Sequence, residues 1–150
     1  MDSIKEVLDE AGIIYQSINL PKEERRSDVT LEAYLINLSI NNLIVSGGII
    51  EGNMDNHVTI LFYDNIKSIE EKYGLLKVYE LINRFNQSCR YGNFVYDDGD
   101  ITYSLAIPVI EREKISKPVF KYYFDRCLST VKEAFGELQN ESWKNFYIYS

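Results

Sequence analysis

His57 is the single histidine of the chain, and imidazole is the side chain best suited to moving a proton near neutral pH. No carboxylate or nucleophile can be assigned to it from spacing, so it reads as a surface or strand-edge residue. Asp97, Asp98 and Asp100 crowd three carboxylates into one short stretch, a donor set that suits a hard divalent cation. The same stretch holds Asp98-Gly99, a strong hairpin-turn signal, and the turn alone explains it. Glu51, Asn53 and Asp55 echo the start of a calcium loop. The echo fails at Asn56, where the loop needs glycine, and at Phe62, where it needs a bidentate glutamate. Gly47-Gly48 lacks the further glycines and the lysine of a phosphate loop, and no Gly-x-Ser-x-Gly elbow occurs. Cys89 and Cys127 read as buried thiols of a reducing compartment, and two cysteines with one histidine do not make a zinc site. The expectation is therefore a protein that is not an enzyme, with no cofactor and no metal.

Asn83 and Asn86 are the more telling polar residues. Asparagine is a poor helix former because its amide competes with the backbone, yet these two fall one turn apart within a helical pattern. They read either as hydrogen-bonding partners of neighbouring loops or as a polar patch for a bound peptide backbone. Together with Tyr103, Phe120 and Phe124 they are the candidate partner-binding residues.

Positioning these side chains falls to a chain of 150 residues, most simply one α+β domain over 1–150. Hydrophobic residues make up 45% and charged residues 26%, ordinary for a globular protein. The 12 tyrosines stand out. They suit half-buried strand and helix positions, and exposed ones suit an interface. A net charge of −7 argues against nucleic acid and against anionic lipid. It suits a basic protein partner. The one basic cluster, Lys22 to Arg26, is interrupted by Glu23 and Glu24 and reads as a solvated loop. No apolar run approaches the roughly 20 residues that cross a bilayer. The charged N-terminal stretch has no signal-peptide character, so no membrane and a cytoplasmic location are expected.

Residues 3–12 read as a first helix, with Ser3 and Glu6 at capping-box spacing and Gly12 ending it. Residues 13–20, 29–38, 43–50 and 57–63 read as strands. In the second, Val29, Leu31, Ala33 and Leu35 share one face and Tyr34, Ile36 and Leu38 the other, so both faces look partly covered. Residues 21–28 read as an exposed connection, Asn41-Asn42 as a turn, and 52–56 as another. Gly47-Gly48 suggests a bulge or a bend. Residues 64–74 form a polar connection with at most a helical turn near Ile69. A main helix follows over 75–88, then a hairpin of 91–96 and 101–109. Pro108 places the last strand at an edge or at its end. Ser116 is a plausible N-cap, with Pro118 in the first turn. Phe120, Phe124, Cys127, Val131 and Phe135 line the last helix, which ends at Gly136 or just beyond. An aromatic tail occupies about 140–150. The order is α-β-β-β-β-α-β-β-α, a mostly antiparallel sheet with helices packed on one face.

The helix carrying Ile82, Asn83 and Asn86, the Asp98-Gly99 turn, the strand with Leu105 and Ile107 and the helix opened by Ser116 resemble the YbjN family. That family is similar in fold to type III secretion chaperones. The resemblance covers about 75–135 closely and the N-terminal half in element order, and the Gly47-Gly48 strand and the aromatic tail depart from it. It implies a non-enzymatic, often dimeric protein that binds other proteins. Three functions follow as expectations. The first is a chaperone-like or adaptor-like module that takes a protein partner through an apolar groove or sheet face, with a homodimer as one state. The second is an immunity protein neutralising a basic toxin. The third is a small-ligand sensor, with His57 and the aspartates of the hairpin turn as its first candidates.

Overall fold

A computed structural model describes residues 2–18, 31–41, 43–52, 57–110 and 114–141. The chain opens with helix α1 (Ser3–Glu10) and strands β1 (Tyr15–Ile18), β2 (Leu31–Ile40), β3 (Leu43–Gly52) and β4 (His57–Asn65). Helices α2 (Lys67–Tyr73) and α3 (Leu75–Gln87) follow, then β5 (Asn93–Asp97), β6 (Asp100–Pro108) and α4 (Lys117–Asn140). The six strands form one antiparallel sheet in the order β1-β2-β3-β4-β6-β5. The α+β class and the element order agree with the sequence pattern.

The first three connections with β2, β3 and β4 are meander-like, but the chain then leaves the sheet through α2 and α3. It returns at β5, one position beyond the slot beside β4, and β6 fills that slot. Two tight turns fix register. Asn41 sits at φ 50 between β2 and β3, and Asp98 and Gly99 sit at φ 45 and 93 between β5 and β6. These left-handed values are those that Asn, Asp and Gly adopt at least cost.

Side chains alternate along each strand, so one sheet face collects Tyr34, Ile36, Ile49, Ile60, Phe62, Phe94 and Tyr103, all buried. Helix α4 lies over this face against β2, β4 and β6, α1 packs against α4, and α3 packs against β5. Phe120, Phe124, Cys127, Val131 and Phe135 form the buried stripe of α4. Phe94 sits 5.0 Å from Tyr103 and 5.5 Å from Phe85, ring centre to ring centre. Each such ring stabilises the fold by about 1.5–3 kcal/mol through burial.

Several expectations change. Helix α1 is capped by Asp2, whose carboxylate accepts from the amides of Ile4 and Lys5, and not by a Ser3–Glu6 box. Its C-terminus does end at Gly12 (φ 70), with Ile13 N–H returning to Leu8 C=O and Gly12 N–H to Asp9 C=O. The connection after β4 holds a full helix, α2, beyond the single turn expected. Helix α4 runs through Gly136, which is buried beside Ile40 and Asn41, and stops at Asn140. Ser116 is its N-cap residue, without a side-chain capping bond.

No bulge interrupts β3 at the glycine pair, where Gly47 stands opposite Phe62 and Gly48 opposite Leu61 in regular register. The requirement is packing, since a Cβ on Gly47 would come within 2.6 Å of the Phe62 ring and 2.5 Å of the Leu61 carbonyl. In β2 the Leu35 face is open and the Tyr34 face is covered, so the strand is amphipathic after all. The connection at 21–28, the Lys22 to Arg26 cluster, the turn residues 53–56 and the tail from 142 onward lie outside the described residues.

Candidate functional site

The face of the sheet opposite the helices is the candidate site. Directly paired residues of antiparallel strands project to the same side. One row across the sheet is therefore Gln16, Leu35, Gly48, Leu61, Ser104 and Asn93. The next row is Asn37, Ser46, Tyr63, Thr102 and Val95. A third, toward the other end of the strands, is Ile18, Ala33, Ile50, Thr59 and Ala106. None of these residues is Asp, Glu, Lys or Arg, although charged residues make up 26% of the chain. Asp97 and Asp100 stand only at one rim.

A solvated sheet face normally alternates apolar inward and polar outward residues, and charge is the usual outward choice. Here the outward positions hold small hydroxyl and amide residues around larger apolar ones. Leu35 is 48% exposed, Tyr63 50%, Val95 51% and Ile44 70%. Gly48 has no side chain between Leu35 and Leu61 and leaves the middle of the face low. A depression of about 250 Å³ lies beside it, lined by Ile14, Leu35, Asn37, Ser46 and Tyr63 among others. The arrangement offers apolar contact and short-range hydrogen bonding.

The five residues singled out from sequence do not come together on one surface. Tyr103, Phe120 and Phe124 are each 0% exposed and belong to the core. The Tyr103 hydroxyl donates to the Tyr91 carbonyl at 2.6 Å, and burial pushes its pKa far up. Asn86 clamps the start of β5, donating from Nδ2 to the Phe94 carbonyl (2.9 Å) and accepting the Phe94 amide on Oδ1 (2.6 Å). The loop-bonding reading of that amide therefore describes it. Asn83 is exposed on α3. Arg84, between them, forks onto Glu137 of α4 at 2.7 and 3.2 Å and ties the two helices together.

The aspartates of the β5–β6 turn hold the turn. Asp100 accepts from Asn65 Nδ2 at 2.9 Å, and the Gly99 carbonyl accepts the Ile66 amide at 2.7 Å. Asp98 is 95% exposed. His57 is exposed at the start of β4, opposite Pro108. Burial raises the pKa of both thiols, far more for the fully buried Cys127 than for Cys89. Neither is a poised nucleophile.

Sequence reading missed two features. One is the uncharged face, whose signal was present as strands without outward charge. The other is a convergence of Asp2, Glu32 and Glu51, residues too far apart in sequence to suggest one another. Among the described residues, no helix is long and apolar enough to cross a membrane.

A family model described as "YbjN: Putative bacterial sensory transduction regulator" matches residues 1–140. The fold is similar to that in "Crystal structure of YbjN, a putative transcription regulator from E. coli", with a TM-score of 0.61 over 93% of this chain and 90% of that one. Identity between the two is 10%, which speaks to the fold alone. No curated protein matches the sequence.

Proposed function

The chain belongs to the YbjN family, and from that premise we propose that it acts as a non-enzymatic regulator or adaptor that binds a protein partner through the open face of its sheet. The family description supports a regulatory role. The observation that carries the binding surface is the run of uncharged outward residues from Leu35 across Leu61 to Val95, in a chain of net charge −7. Desolvating a charge is costly, and interface centres are accordingly depleted of charge and enriched in aromatic residues. A face that stayed in water would gain solubility from Lys or Glu at those positions.

The acidic remainder of the surface would steer a partner with a basic rim, which raises the association rate more than the affinity. The same uncharged face lets two copies of an acidic chain meet without like-charge repulsion across it, so a homodimer is the second reading. Crosslinking in the native host followed by affinity capture separates them. A stoichiometric second protein, crosslinked to β2, β3 or β4, supports the adaptor. Recovery of this chain alone, with a dimer mass in sedimentation, supports self-association. Monomeric protein with no crosslinked partner overturns both.

A further inference from the structure

Three carboxylates meet on the helix-covered face of the sheet. Asp2 precedes α1, Glu32 begins β2 and Glu51 ends β3. One oxygen from each lies within 4.8 Å of the others. Two ligands on opposite sides of a calcium ion, at about 2.3–2.6 Å each, span about 4.6–5.2 Å, so the three oxygens already enclose a space of that size.

Among the described residues, the neighbours do not neutralise the cluster. Tyr34 Oη is in hydrogen-bond contact with both Asp2 and Glu32, the latter at 3.2 Å. Its single proton serves one carboxylate at a time. Lys114 Nζ lies 3.3 and 3.5 Å from the two Glu32 oxygens, and it is the cation whose field reaches Asp2 and Glu51 as well. One lysine against three carboxylates leaves two negative charges uncompensated within this group.

Glu51 supplies the second observation. It is 9% exposed; the Ile115 amide hydrogen-bonds its carboxylate, but among the described residues no donor reaches Oε1. A buried carboxylate oxygen without a donor is costly. A hard divalent cation would remove both defects by giving Oε1 a partner and balancing the remaining charge.

We propose that Asp2, Glu32 and Glu51 form a binding site for a calcium-class divalent cation, with the Tyr34 hydroxyl positioning Asp2 and Glu32. Lys114 is 68% exposed and stands as a competitor for Glu32. Bound cation would fasten the start of α1 to β2 and β3.

The test is thermal unfolding of the full chain in EDTA and in added Ca²⁺, with Mg²⁺ and Mn²⁺ as comparisons. Calcium at a hundredfold excess over Kd is expected to raise Tm by about 5–10 °C. Glu51→Gln is expected to be at least as stable as the parent in EDTA, because it loses a buried charge and keeps its shape, and to lose the calcium-dependent rise. Lys114→Gln is expected to bind calcium more tightly. Terbium(III) offers a second reading, since Tyr34 is close enough to sensitise its emission, and that emission should be displaced by calcium and absent in Glu51→Gln. No Tm shift and no sensitised emission in the parent would overturn the site, as would an equal calcium response in Glu51→Gln.

Discussion

At the scale of single residues, the amide of Asn86 shows how a helix can use an awkward residue. Its two hydrogen bonds to Phe94 satisfy both polar groups of a backbone position beside the core. Asn86→Ala leaves them without those partners, and we expect a loss of about 1–3 kcal/mol in urea unfolding. Asn83→Ala, on the exposed side of the same helix, should stay within about 0.5 kcal/mol. A greater loss for Asn83 would contradict this assignment. The thiols give a second prediction. A thiol-specific reagent should leave Cys127 unmodified in the folded protein and modify it at the rate of unfolding, because burial holds it protonated and out of reach. The odd asparagines were visible in the sequence, but their use was not. Local spacing announces that a polar side chain needs a partner, and only the tertiary fold says that the partner is eight residues away on the next strand.

At the scale of elements, the turns were legible and the faces were not. Asn41 and Asp98-Gly99 announce hairpins because few residues tolerate positive φ. The capping of α1 was misplaced by one residue, since Asp2 and Ser3 both have the chemistry of an N-cap. Helix α2 was underestimated because seven residues give too short a window for helical periodicity. The glycine pair of β3 was read as a defect in pairing when its cause is a neighbour. Gly47 yields space to the Phe62 ring, while Gly48 points the other way and a Cβ there would meet the Tyr34 carbonyl at 3.4 Å. Gly47→Ala should therefore destabilise the fold by about 1–3 kcal/mol or more. Gly48→Ala should be much milder, and chemical denaturation of the two variants side by side measures the difference. Equal losses would mean that strand conformation, not the Phe62 contact, sets the requirement.

At the scale of the whole molecule, the sequence pattern carried the α+β class and the strand count, because alternation and turn residues are local. It did not carry the strand order, in which β6 inserts between β4 and β5, nor the identity of the open face. Leu35 and Tyr34 are adjacent large side chains in β2, and the position of α4 decides which is covered. The partner-binding residues expected from sequence drew on aromatic size, and size is what the core selects first. The proposed surface rests on charge instead. The paired outward positions across the middle of the sheet are uncharged, in a chain of net charge −7. The most direct test of that account places a lysine in the middle of the face, as Leu61→Lys or Ser104→Lys. Partner capture or self-association is then compared with that of the unaltered protein, alongside urea unfolding. Binding is expected to fall at least tenfold while stability changes by less than about 1 kcal/mol, because an outward lysine remains hydrated until a partner covers it. Undiminished binding by both folded variants would contradict it.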